Sequence, residues 1–562
     1  MELLQPWSSF LAAALFLVAA FLVLHRTRKC KYKLPPGPRP WPVIGNLNLI
    51  GPLPHRSMHE LSVRHGPLMS LRLGSFPAVV GSSADMARFF LKTHDLAFLD
   101  RPRTAAGRHI FYGFSDMLWA PYGSYWRQAR RLLQAELLSA SRLRDTEHVR
   151  DEEVRAAVRG MRCASAAAGA VVVNDHLAMV SLGVISRLAL GKKYVVEGGG
   201  GGGGSPVPPE EFRWMVHELF FLGGVLGVSD FIPWVDWLDL QGYVKRMKKL
   251  RRMLDRFLDH IVDEHDERRR REGTSFVPRD MVDLLLQQAD DPNLEVPIER
   301  DGVKAIALDL IAAGTDTSAV SVKWALSELL RNPVVMAKAT EELDRVVGRD
   351  RFVLEADIPS LPYLEAIVKE TMRLHPVAPL LAPRLSREDT SVAGYDIPAG
   401  TRVLVNVWAI GRDPALWGDE AEEFRPERFV GSGVDVKGHD MELLPFGAGC
   451  RMCPGYALGL KMVQLTLANL LHAFAWRLPD GDTAEAGLRR IPACSSAAPT
   501  RETVPPILIS IWAGCSWAFP IALGGRGGSQ GRLLVGASPI MSAKTAIKAL
   551  IMTTTSILEN RI

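Results

Sequence analysis

Pro445-Phe446-Gly447-Ala448-Gly449-Cys450-Arg451-Met452-Cys453-Pro454-Gly455 is the stretch on which the reading of this chain turns. It sets a cysteine in a loop of glycines and prolines, directly after the apolar run 443–446. An apolar, helix-compatible segment, 456–476, follows. A thiolate at the mouth of a helix N-terminus lies near partial positive charge and unpaired N–H groups. The glycines let the backbone approach a flat macrocycle closely. A thiolate so placed is a good ligand for haem iron and pushes electron density toward O–O cleavage.

Three plainer readings compete. A cysteine is most often a small core hydrophobe. Cys450-x-x-Cys453 would serve as half a zinc site, but Cys30, Cys163, Cys494 and Cys515 form no second such pair. Covalent c-type haem needs a histidine right after the second cysteine, where this chain has Pro454.

Phe446, Gly449, Arg451, Cys453 and Gly455 fall at the spacing Phe-x-x-Gly-x-Arg-x-Cys-x-Gly. This resembles the haem-binding loop of the cytochrome P450 family of haem-thiolate monooxygenases. The resemblance implies a mainly α fold with small β-sheets (α+β) and a single large catalytic domain behind an N-terminal membrane anchor. It also implies haem b (iron protoporphyrin IX) as cofactor, with Cys453 as its metal ligand and Phe446, Arg451 and Gly455 in the cofactor-binding loop. Cys450 departs from the pattern, because plant members usually carry a second arginine there.

Outward from that loop, the oxygen-activating element is expected on a long helix. No proline occurs from Ile298 to Asn332, and between 305 and 322 the only charges are Asp309 and Asp316. A carboxylate on an otherwise apolar helix must be paired or have a use. Ala313-Gly314-Thr315-Asp316-Thr317-Ser318 matches the family's Ala/Gly-Gly-x-Asp/Glu-Thr-Thr/Ser pattern. A glycine and hydroxyl residues in mid-helix are expected to weaken it and open a groove. By resemblance Asp316 and Thr317 are the catalytic acid–alcohol pair that relays protons from water. The plainer alternative is a Ser/Thr cluster bonded back to i−4 carbonyls.

Trp126 and Arg130 lie four apart at the start of a helix, on one face. They match the family's Trp-x-x-x-Arg pattern, which contacts haem propionates. Glu370-Thr371-Met372-Arg373 and Pro426-Glu427-Arg428-Phe429 resemble two further family elements. Glu370, Arg373 and Arg428 would then form a buried structural network on the cysteine side of the haem. Between them, Val377, Leu380 and Leu381, with Ala313 from the long helix, would line the substrate pocket, and Arg384 would reach a propionate.

At the N-terminus, 7–24 is almost wholly apolar and just long enough to cross a membrane. Arg26, Arg28, Lys29, Lys31 and Lys33 follow and favour a cytosolic C-terminal side. The expected organisation is an anchor and basic stop at 1–33, a proline-rich hinge at 34–45, the catalytic domain at 46–480 and an atypical tail at 481–562. The anchor implies one pass through the endoplasmic reticulum membrane, with the domain facing the cytosol. Leu68–Leu73 and 78–80 flank Gly74-Ser75 as a hairpin. The run 198–204 is all glycine and reads as a surface insertion. Arg268-Arg269-Arg270-Arg271 reads as a solvated face. The segments 211–228 and 230–237 are rich in Phe, Trp and Leu, fitting a substrate channel and membrane-dipping surface or ordinary core. In the tail, the family's closing hairpin is not recognisable, and the apolar run 507–523 is broken by Pro520.

A net charge of +5 with dispersed basic residues does not point to nucleic acid, and six cysteines in 562 residues do not make a disulfide framework. The resemblance implies insertion of one atom of O2 into a small hydrophobic plant metabolite, with flavonoids, other phenolics and terpenoids open. Electrons would come from NADPH through the membrane-bound NADPH–cytochrome P450 reductase. The alternatives are an oxygen-independent haem-thiolate isomerase or dehydratase, and a haem-carrying membrane protein without turnover.

Overall fold

The computed structural model describes residues 32–476 apart from 169–170, 172, 195–205, 226 and 293. The anchor, the glycine run and the tail expected from the sequence lie outside the described residues.

Helices make up most of the body. The principal ones are α1 (Pro54–His65), α2 (Ser124–Glu136), α3 (Glu147–Ala168), α4 (Val173–Leu190), α5 (Pro209–Gly224), α6 (Tyr243–Glu272), α7 (Met281–Ala289), α8 (Arg300–Arg331), α9 (Pro333–Val346), α10 (Pro362–Leu374) and α11 (Tyr456–Ala473). The sheets are small and peripheral. Strands β1 (Leu68–Leu73), β2 (Phe76–Gly81), β3 (Arg384–Leu385) and β6 (Arg402–Val405) form one sheet in the order β1-β2-β6-β3. The β1–β2 hairpin pairs Leu73 with Phe76 around Gly74-Ser75, while β6 runs parallel to β2 with Ala78 opposite Arg402. A second sheet pairs β4 (Thr390–Val392) with β5 (Tyr395–Ile397).

α8 is the axis of the molecule. Its 32 residues are apolar enough to span a membrane, yet 67% of its apolar window is buried inside the fold, so it is a core helix. It stops at Asn332 because Pro333 disfavours helical geometry in the residue before it and opens α9 at its first position. Gly314 and the neighbouring threonines do not interrupt α8, contrary to the expected weakening. Gly314 is needed for packing instead: a Cβ there would lie 2.7 Å from Ile185 Cγ1 of α4. The close α4–α8 contact decides that residue.

The arginine run at the end of α6 is not simply solvated. Arg268 pairs with buried Asp283, and Arg269 donates to the Leu286 carbonyl at 2.7 Å and pairs with Asp290, so both tie α6 to α7 and its C-terminus. The 211–237 region is part core and part surface. α5 buries Phe212, Met215, Leu219 and Leu222, whereas Trp234 and Trp237 stand 64% and 81% exposed.

On α10, Glu370 and Arg373 are both fully buried and meet in a bidentate pair at 2.6 and 2.8 Å. Arg373 also donates to the carbonyls of Gly411, Ala421 and Glu423. Arg428 Nε reaches Glu370 at 3.0 Å, and the Arg425 N–H reaches it at 2.7 Å. Glu370 is thus the single anion on which a loop, a helix and two guanidiniums converge. Replacing it, Glu370→Ala, leaves buried Arg373 uncompensated and should cost about 3–5 kcal/mol of stability, read from urea unfolding at constant m-value.

Candidate active site

The loop after Pro445 folds tightly under α8. Cys453 N–H donates to the Phe446 carbonyl at 2.9 Å, and the Met452 N–H to that of Gly449 at 3.0 Å. Gly449 has φ +71°, and a Cβ on it would lie 2.1 Å from the Leu91 carbonyl oxygen. Only glycine fits there. α11 begins at Tyr456, and its Gly459 sits beside Phe446 and Ser318 of α8. Cys453 thus lies just before α11, whose first turn meets the middle of α8 at Ser318. Burial raises its thiol pKa, while the Gly455 N–H and the Arg130 guanidinium act the other way.

Arginines gather around this loop. Arg451 donates to the carbonyls of Leu99 at 3.0 Å and Ala120 at 2.7 Å, and its guanidinium lies 4.4 Å from the Trp126 ring centre. Arg101 donates to Ala382 at 2.7 Å and Pro383 at 2.8 Å. Arg384 pairs with Asp95 and donates to the Ala448 carbonyl at 3.0 Å. Arg130 sits 5.8 Å from the Trp126 ring, and among the described residues it has no carboxylate or carbonyl acceptor. Burial lowers the pKa of all these guanidiniums, Arg451 to about 10, and repulsion from Arg384 adds to the effect on Arg101 and Arg451.

This donor set fits haem. Asp95 is already engaged by Arg384 and by the Cys450 N–H at 2.6 Å. Asp116 is held toward its neutral form by burial. Among the described residues the cluster therefore carries surplus partly buried positive charge, and half-buried Arg130 meets no carboxylate. A group bearing carboxylates beside a thiolate-bound metal would supply both needs.

The other expected residues fall as follows. Trp126 is buried, with Nε1 donating to the Met117 carbonyl at 3.1 Å. Phe446 and Tyr456 rings meet at 6.3 Å. On α8, Ala313 is exposed among half-buried neighbours, and Thr317 Oγ1 donates to its carbonyl at 2.7 Å. That is the i−4 back-bond weighed as the plainer alternative, and Thr315 makes the same bond to Ile311 at 2.5 Å. Burial raises the Asp316 pKa, while Lys323 and His217 oppose the shift. Val377 is half-buried. Leu381 lies 3.6 Å from the Cβ position of Gly447, beside the cysteine loop. Leu380 packs in the apolar cluster of Met58, Met69 and Leu71 beneath the sheet. Arg384 is committed to Asp95 and Ala448.

Sequence reasoning missed Arg101, Asp95 and Asp116. Leu99-Asp100-Arg101-Pro102 offered only a charge after an apolar run. Asp309 was flagged as needing a partner, and it has one: the Met117 N–H.

The family model for Cytochrome P450 matches residues 35–491. A trimethyltridecatetraene synthase of Zea mays is 52% identical over 489 residues, covering 83% of this chain and 87% of that protein. A flavonoid 3'-monooxygenase of Petunia hybrida is 44% identical over 481 residues, covering 84% of this chain and 91% of that protein. Among solved structures, a zebra fish cytochrome P450 with progesterone aligns at TM-score 0.65 and 28% identity, covering 77% of this chain and 94% of that one. Cys453→Ser should abolish the thiolate-type red-shifted band of the reduced carbon monoxide complex, and Cys450→Ser should retain it. Absorption difference spectra check both; the reverse result would move the ligand to Cys450.

Proposed function

Since this chain belongs to the cytochrome P450 family and is a monooxygenase, we propose that it oxidises a hydrophobic terpenoid, with Cys453 holding the haem iron. The observation that carries the site assignment is the cradle itself: a half-buried cysteine just before α11, with Arg130 near its thiol and Arg384 and Arg451 bonded in and around the same loop. The terpenoid is favoured over a flavonoid because the two maize relatives at 52% and 50% identity are named for making branched polyenes, a trimethyltridecatetraene and a dimethylnonatriene. Flavonoids are the second reading, motivated by the 3'-monooxygenases at 44% and 42%.

When bound, haem with its thiolate ligand supplies the oxygen-activating chemistry. The chain's own residues bind, orient and move protons. Trp126, Arg130 and Arg451 would take the propionates, with Arg384 holding the loop through Ala448 and Asp95. Thr317 gives its hydroxyl proton to the Ala313 carbonyl, which leaves the oxygen free to accept from water. Asp316 is half-buried with a raised pKa, so it exchanges a proton more readily near neutrality than an ordinary aspartate. Exposed Ala313, with Val377 and Leu381, provides apolar surface for the substrate. Electrons would arrive from NADPH–cytochrome P450 reductase on the membrane to which segment 1–33 ties the domain.

Reconstitution with that reductase and NADPH, over a panel of acyclic terpenoids and flavonoids with mass-spectrometric detection, tests the assignment. Terpenoid products support it; flavonoid products alone would replace it with the second reading. Thr317→Val should leave haem content intact while diverting NADPH from product to peroxide. Product formed per NADPH checks this, and unchanged coupling would remove Thr317 from the proton route.

A further inference from the structure

The loop 115–120 is gripped from both sides. On the α8 side, Asp309 Oδ2 accepts the Met117 N–H, and the Leu118 N–H also favours its charged form. Asp116 of the same loop is fully buried: its Oδ2 accepts the Trp119 N–H at 3.0 Å, while its Oδ1 meets no donor. On the cysteine side, the loop's carbonyls receive the arginines and the tryptophan. Leu118 takes Arg101 Nε at 3.1 Å, Met117 takes Trp126 Nε1 at 3.1 Å and Arg451 Nη1 at 3.4 Å, and Ala120 takes Arg451 Nη2 at 2.7 Å. Met117 thus links both faces, its N–H to Asp309 and its C=O to the cofactor-side residues.

We propose that the buried carboxyl pair Asp116–Asp309 is a positioning element: it fixes loop 115–120 to α8 and, through that loop's carbonyls, holds Arg451 and Trp126 where the haem assignment needs them, with Arg101 tying the same loop to residues 382–383. The proposal rests on the cofactor assignment above and adds to it a pair of residues that act through loop 115–120. The groups facing the pair are Tyr125 of α2, whose hydroxyl donates to the Ser115 carbonyl at 2.6 Å, and the guanidiniums of Arg101 and Arg451. Both carboxyls and the Tyr125 hydroxyl are pushed upward, chiefly by burial.

The sign of the pH dependence follows. Burial raises Asp309 from 3.8 to about 7. A carboxyl whose pKa is raised on folding contributes stability that is complete below its ordinary pKa and is lost as pH rises through the raised one; here the cost of a buried anion outweighs the Met117 and Leu118 N–H bonds, which favour the charged form. Haem loss should therefore accelerate from about pH 5 to about pH 7, by at most about tenfold per pH unit, and level off above.

The test is the rate of haem transfer from the holoenzyme to apomyoglobin, followed by absorbance from about pH 5 to about pH 8, for wild type, Asp309→Asn and Asp309→Ala. Asp309→Asn keeps an acceptor for the Met117 N–H without a titrating proton. Its profile should be flat, and its retention at neutral pH should match that of wild type at the acid end. Asp309→Ala should lose haem quickly at every pH. Should that variant fail to fold, the slope of Asp309→Asn decides alone. An unchanged slope in Asp309→Asn, or wild-type retention in Asp309→Ala, overturns the proposal while leaving the cofactor assignment standing. A wild-type chain that takes up no haem overturns both.

Discussion

Buried positive charge with too few anions is the constraint around which this molecule is arranged. Arg101 and Arg384 are drawn into the interior, and Arg130 and Arg451 are half-buried beside them. An unsatisfied buried guanidinium is expensive. The chain meets the cost first with backbone carbonyls, those of Leu99, Leu118, Ala120, Ala382, Pro383 and Ala448. It meets only part of it with carboxylates, chiefly Asp95. The surplus favours an anion among these arginines.

That arrangement needs a rigid surround, and two devices provide it. One is the uninterrupted α8, kept straight by its composition and packed against α4 across Gly314. The other is the Glu370 hub, where Arg373 and Arg428 share one carboxylate with loop carbonyls. Both hold backbone rather than chemistry. They fix where the cysteine loop and the threonines stand relative to each other, and a reaction dependent on proton delivery is sensitive to that spacing.

The hydroxyls of α8 show how a bland contact and a functional one coincide. Thr317 is bonded back to Ala313, as buried threonines in helices commonly are. The same bond orients its oxygen lone pairs outward at a place where Ala313 is exposed. Back-bonding and a part in proton transfer are thus compatible.

The sequence by itself determined the long helix, the hairpin and the cysteine loop. Each depends on local chemistry: an absence of proline, alternation around Gly74-Ser75, and glycines and prolines at fixed spacing. It also determined the Glu370–Arg373 pairing, because i,i+3 neighbours on a helix meet whatever the rest of the fold does. Only the tertiary structure decided what non-local charges do. Arg384 turned to Asp95, Leu380 went beneath the sheet, and Arg268 found Asp283 on another helix. Asp309 and Met117, separated by 192 positions, met across α8. No periodicity records such partners, because burial and long-range packing, not neighbours in the chain, set which charge must be satisfied by which group.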